Sequence, residues 1–202
     1  HDTSAEFRSQ IEAPFFAYWL HSKGTPPQWE ARIFEAGSNV WRDYKSWPPK
    51  EAKMSRLYLH GNGTLSFDPP SEVETQSTRS YVSDPANPVP YRPRPITSTF
   101  DTEGWKTWET RDQRLVDHRP DVLSYESAPL DHDVRIAGKV MASLFASSTG
   151  TDSDFVVKLI DVYPEDGEDV ALRGYQFPVA MEVRRGRVLD SYEQPHALIP
   201  DK

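Results

Sequence analysis

In a chain without cysteine, hydrolytic or metal chemistry has to come from serines, histidines and carboxylates, and here these residues do not fall into a working pattern. The missing cysteines remove thiolate nucleophiles, thiolate metal ligands and disulfides together. A serine nucleophile of the α/β-hydrolase type needs the strained strand-to-helix turn that G-x-S-x-G supplies, and that motif does not occur. Ser147-Ser148 closes an alternating run but has no such glycine frame. The six histidines (His1, His21, His60, His118, His132 and His196) are scattered beside turns, as solvated imidazoles usually are, with no His-x-x-x-His pair to grip a metal. Glu165-Asp166-Gly167-Glu168-Asp169 offers oxygen ligands of the kind calcium prefers, yet lacks the alternating spacing of a dedicated loop, and reads as a solvated acidic hairpin tip. No catalytic residue, metal ligand or cofactor is therefore assigned within these residues.

The composition narrows the classes of partner. With 202 residues, 37% of them hydrophobic and 27% charged, the chain can bury one sizeable core or two small ones. Six Trp, nine Tyr and nine Phe supply apolar area, while 18 Pro and 10 Gly punctuate the chain too often for long helices and point to β structure. A net charge of -8 argues against nucleic acid, since the longest basic run is Arg184-Arg185-Gly186-Arg187. No apolar stretch reaches the roughly 20 residues of a membrane-spanning helix, so no membrane partner is expected. The chain starts at His1 and opens directly on a helix signal, which reads as a piece of a longer protein.

The elements follow from periodicity. Thr3-Ser4-Ala5-Glu6 fits a capping box, and Phe7, Ile11, Phe15, Tyr18 and Trp19 follow near the helical period as one apolar stripe. Pro14 predicts a kink or restart, and Lys23-Gly24 with Pro26-Pro27 predicts the end of the helix. From about residue 31 the period changes to two. Leu57-Tyr58-Leu59 and Leu65-Ser66-Phe67 around Gly61-Asn62-Gly63 predict a hairpin. The alternation from Val134 to Ala146 predicts a long half-buried strand. Phe155 to Tyr163, apolar on both faces, predicts a central strand, and Phe177, Val179, Met181 and Val183 predict another. The fold class expected is mainly β: a jelly-roll-type antiparallel β-sandwich over 31–202, preceded by a short helical segment over 1–30. A proline-dense loop over 83–110, from Asp84-Pro85 through Pro93-Arg94-Pro95, reads as stiff and extended, either covering a sandwich edge or lining a cleft shared with another domain.

Several strings carry a resemblance: Tyr81 to Tyr91, Trp105-Lys106-Thr107-Trp108, Asp112-Gln113-Arg114, Arg119-Pro120-Asp121-Val122-Leu123, Ala146 to Asp154, and Lys158-Leu159-Ile160-Asp161-Val162-Tyr163-Pro164. Together they resemble the α-amino acid ester hydrolases and glutaryl-cephalosporin acylases, within the wider family of cocaine-esterase-like and X-prolyl dipeptidyl peptidase enzymes. Phe7-Arg8, Pro14-Phe15-Phe16, Gly37-Ser38-Asn39, Trp41 and Trp47-Pro48 resemble the segment that joins the family's catalytic domain to its jelly roll.

The resemblance implies an enzyme with an α/β-hydrolase domain, a helical cap and a C-terminal jelly roll, using a Ser-His-Asp triad to form an acyl-enzyme from an ester or amide. It implies that the triad lies before His1, since the family's catalytic histidine sits in a Gly-Pro-Trp context whereas Asp2-Thr3 follow His1. It implies that the partner is the catalytic domain of the same protein, and that the location is soluble, periplasmic or secreted. The family continues past the position of Pro200 into further strands, so an incomplete sandwich and a homo-oligomer are expected. In the related esterases the loop matching 93–108 approaches the active-site mouth. This makes Tyr91, Arg94, Trp105 and Trp108 the candidates for lining the substrate cleft, the rings for acyl contact and Arg94 for a carboxylate or a structural pairing. The alternatives are a free-standing carbohydrate- or ligand-binding β-sandwich with Trp105 and Trp108 as a sugar platform, and a structural oligomerisation domain.

Overall fold

The helical lead-in forms as the stripe predicts, with its cap one residue earlier. In the computed structural model, which describes residues 2–73, 77–96, 106–107 and 109–201, helix α1 (Thr3–Glu6) is capped by Asp2, whose carboxylate accepts from Ala5 N at 2.9 Å. A carboxylate at the N-cap both pairs an orphan N–H and favours the helix dipole, which is why Asp2 displaces Thr3 from that role. The chain continues as a π-helical stretch, Phe7–Glu12, into α2 (Ala13–His21). The π stretch stands where Pro14 would otherwise press on the carbonyl one α-turn back, and Ala13 N–H donates to Arg8 O, five residues earlier. The expected disturbance at Pro14 is thus a widened turn, and the helix runs through it. Left-handed Ser22 ends α2.

Strands β1 (Ala31–Glu35) and β2 (Val40–Tyr44) form an antiparallel hairpin. Phe34 and Trp41 face each other across it with ring centroids 5.4 Å apart. Glu35 binds its own turn and beyond: it accepts from Ser38 Oγ at 2.6 Å, Arg42 Nε at 2.7 Å and Arg135 Nε at 2.8 Å. Its carboxyl is held below the ordinary value, first by Arg42 and then by Ser38. These elements belong to one compact unit, His1–Arg56 with Leu130–Lys139.

The other unit, Leu57–Pro129 with Val140–Lys202, holds the remaining strands. The hairpin around Gly61-Asn62-Gly63 forms as β3 (Tyr58–Leu59) and β4 (Leu65–Ser66). Gly63 takes φ +90, and Asn62 Oδ1 accepts from Thr64 N at 3.0 Å. The main ribbon pairs β5 (Asp154–Val162) with β6 (Gln176–Arg185), antiparallel throughout. Its register slips at Leu159/Ile160, so that Ala180 and Pro178 are paired and Val179 is passed over. Pro178 has no N–H for the ladder and sits buried at that bulge.

The alternating run from Val134 to Ala146 forms no strand. It makes no ladder with any described strand, and Ile136, Val140, Met141 and Phe145 stand exposed. Alternation specifies an amphipathic strand, but a strand exists only when a neighbour accepts its N–H groups. Apolar side chains are also open along α2, with Trp19 62% and Leu20 69% exposed. Among the described residues the buried side chains of the second unit are Gln113, Val116 and Arg92, with Pro178. No described helix is long and apolar enough to cross a membrane.

Candidate functional site

The buried point of the second unit is polar. Gln113 opens a 3-10 turn, Gln113–Leu115, and is only 1% exposed. Asp112 caps that turn, with Oδ1 accepting from Arg114 N at 3.0 Å. A buried amide must satisfy both its ends. Gln113 does so by donating Nε2 to Arg111 O at 2.6 Å and by accepting at Oε1 from Lys158 Nζ, also at 2.6 Å. Lys158 comes from the middle of β5, the one charge in Val156-Val157-Lys158-Leu159-Ile160. Burial pulls its ammonium below the ordinary lysine value.

The ammonium also stands 6.0 Å from the centroid of the Tyr91 ring. That is the outer range of a cation–π contact. Burial pushes the Tyr91 phenol above its ordinary value, Glu109 adds to the rise, and Arg92 opposes it. A second tie fixes the same loop between Pro85 and Pro88: Arg119 donates Nη2 to Asn87 O at 3.0 Å while forking onto Asp121 at 2.8 and 2.7 Å. A fork onto a carboxylate is the rigid form of an arginine contact.

A third knot lies on Asp117. Its two oxygens accept from Ser124 Oγ and Gln176 Nε2, both at 2.6 Å, and from the backbone N–H of His118 at 2.9 Å. Burial pushes this carboxyl up, but the Ser124 and Gln176 bonds, with His118, outweigh it and hold the group below its ordinary value. Serine, histidine and aspartate thus meet here, but in an order that cannot activate a nucleophile. Both Ser124 and His118 address the carboxylate, so no base sits on the hydroxyl, and the His118 side chain is 90% exposed. Ser148, the other tempting serine, accepts from Gly150 N as part of a turn. The acidic tip at Glu165 is ordered by Gly167 N and Gly174 N, both donating to Pro164 O at 3.3 Å. Among the described residues no group of three or more His, Asp or Glu could hold a metal ion.

Of the four candidate cleft residues, Tyr91 enters the Lys158–Gln113 cluster. Arg94 does not: it is exposed and makes no hydrogen bond or ion pair with the described residues, just before a cis peptide bond to Pro95. Trp105 and Trp108 lie outside the described residues. The cluster's other members, Lys158 and Gln113, and the separate Arg119 tie belong to no catalytic pattern. A lysine flanked on both sides by apolar strand residues was the available signal, since such a charge needs a buried partner.

Comparisons with known proteins identify the family and the fold. Residues 17–202 match the X-Pro dipeptidyl-peptidase C-terminal non-catalytic domain. The chain is 36% identical over 152 residues to the cocaine esterase of Rhodococcus sp. strain MB1 Bresler, an alignment covering 71% of this chain and 25% of the esterase. All of the chain superposes on 33% of an aminopeptidase from the marine sediment archaeon Thaumarchaeota archaeon, at 37% identity and TM-score 0.89. It superposes equally fully on 34% of an α-amino acid ester hydrolase, at 37% identity and TM-score 0.85. The chain therefore spans a quarter to a third of the relatives it matches. The fold class is the one read from the residues, a mainly β, antiparallel jelly-roll type after a helical lead-in. The chain belongs to the family of X-Pro dipeptidyl-peptidase C-terminal non-catalytic domains.

Proposed function

We propose that this chain is the module that completes a serine hydrolase acting on α-amino acid esters or β-lactam acyl side chains, bracing its catalytic domain and lining the substrate cleft with the 83–110 loop. The reading rests on one observation above the others: the Tyr91 ring lies against the interior of the module through Lys158, which the buried Gln113 amide holds. A ring fixed in this way offers a pre-set wall to an acyl group, with no ordering cost at binding. Tyr91 and Arg94, with Trp105 and Trp108, are the lining residues, and residues 1–30 are the joint to the catalytic domain.

The exposed surface supports a covering partner. The chain exposes 16316 Å², whereas two separate compact bodies of the sizes of its two units would expose about 11,500 Å² together by the usual scaling with mass. The difference is larger than the roughly 1,200–2,000 Å² of a standard stable interface. The test is kinetic. In a polypeptide that carries both domains, Tyr91→Ala and Trp105→Ala lower kcat/KM for esters with bulky acyl groups more than for acetyl esters. Equal values for every acyl group in both variants would remove the cleft role.

A further inference from the structure

Lys158 is an unusual residue to place in the middle of a ribbon. Its neighbours on the strand are Val157 and Leu159, and its cross-strand partner is Met181. No acidic side chain among the described residues bonds it. Its one hydrogen bond goes to a neutral amide, Gln113 Oε1 at 2.6 Å, which is itself locked by the bond to Arg111 O. A methionine at this position would fill the space at no desolvation cost. A lysine there is stabilised by what lies at its tip, and beyond the amide that is the face of Tyr91.

The chain of contacts therefore runs in one direction, from fixed to less fixed. Gln113 is fully buried, Lys158 is half-buried, and Tyr91 is 36% exposed on a loop that carries five prolines among residues 83–96 only to stiffen it locally. Proline fixes φ within the loop but does not set where the loop lies on the ribbon. Arg119 at Asn87 and Lys158 at Tyr91 both tie it there. The first grips backbone and leaves side chains free to turn, whereas the second acts on the ring itself.

We infer that Lys158 is a positioning residue for Tyr91, its ammonium aimed by the buried Gln113 amide so that the ring keeps one face toward the ribbon and presents the other outward. This rests on the reading of Tyr91 as a cleft wall only for its consequence in catalysis; the positioning itself concerns the ring alone. Specificity for the acyl group then depends on a residue that never touches the substrate.

The experiment uses 3-fluorotyrosine incorporated into this chain, with Tyr91→Phe identifying the Tyr91 fluorine resonance among those of the nine tyrosines. Lys158→Met is expected to shift and broaden that resonance while the other eight keep their positions, and Lys158→Arg, which retains a cation and donors, is expected to restore it. Because Lys158→Met strands the Gln113 oxygen, the pair Lys158→Met with Gln113→Leu removes both partners and guards against a folding defect. An unmoved Tyr91 resonance in both the single and the paired variant, with the other eight intact, overturns the proposal. Kinetics separate the two readings. In a polypeptide with its catalytic domain, Lys158→Met is expected to raise KM for bulky acyl esters about two- to fivefold with kcat held, the worth of one half-exposed cation–π contact. A shifted resonance with unchanged KM keeps the positioning role and refutes the cleft reading.

Discussion

Replacing Gln113 by leucine is the sharpest test of how the second unit is held together. The side chain is 1% exposed and makes two bonds of 2.6 Å, one of them accepting from an ammonium. Leucine keeps the volume but neither bond. Losing the partner of a charged donor costs about 1.5–3 kcal/mol, and leaving the Arg111 carbonyl without its donor costs about 1 kcal/mol more. The greater apolarity of leucine offsets about 1 kcal/mol of this, so the net loss expected is about 1.5–3 kcal/mol. With a urea dependence of about 2 kcal/mol per M, the unfolding midpoint falls by about 0.7–1.5 M. Tryptophan fluorescence during urea titration reads it. A cycle with Lys158→Met adds a check, since two residues in direct contact are expected to couple by at least about 0.5 kcal/mol. A midpoint shift below about 0.3 M, or strict additivity in the cycle, would refute the assignment of Gln113 and Lys158 as one structural pair.

Other expectations follow from the same contacts. Asp117, Asp112 and Asp121 all titrate below the ordinary 3.8 in the folded chain; because their folded values are depressed, the stability they add is present above that value and is lost as pH falls through the folded ones, so unfolding should steepen below about pH 4. Asp117→Asn should be less stable at neutral pH and lose less on acidification, and an acid profile parallel to that of the parent chain would contradict this. Arg119→Ala should free Asn87 and raise chymotryptic cleavage after Tyr91 several-fold, whereas unchanged cleavage would show that the loop is held elsewhere. Gly174 takes φ +62 and a Cβ there would lie 2.3 Å from Glu165 Oε1, so Gly174→Ala should cost about 1–2 kcal/mol, while Gly167→Ala, whose Cβ would meet only Pro164 O at 3.4 Å, should cost well under half of that. Equal losses at the two glycines would argue that the turn tolerates a side chain at either position.

What the residues disclose depends on how local the deciding forces are. The β3–β4 hairpin was legible because Asn62 and Gly63 determine their own turn, and the helical stripe was legible because its apolar residues recur near every 3.6 positions. The cap moved from Thr3 to Asp2, since either side chain can fill that role and only the geometry chooses. The alternating run at 134–146 misled for a deeper reason: alternation records which face is apolar, not whether a partner strand is at hand. At the candidate site Tyr91 was found by resemblance, but its anchors were not, because Gln113 and Lys158 are 45 positions apart and neither belongs to a catalytic motif. Long-range polar pairs leave no periodic trace in a sequence. Their only sign is a charge where apolar residues would serve.

The central claim is that this module completes a hydrolase. Its most direct test is hydrolysis of p-nitrophenyl esters by the purified chain, by a separately expressed catalytic segment of the same protein, and by the two mixed. The account predicts no turnover by this chain alone and a rise over the catalytic segment's own rate on mixing, reduced for bulky acyl esters when the added chain carries Tyr91→Ala. Turnover by this chain alone, or association of the two segments with no gain in rate, would contradict it.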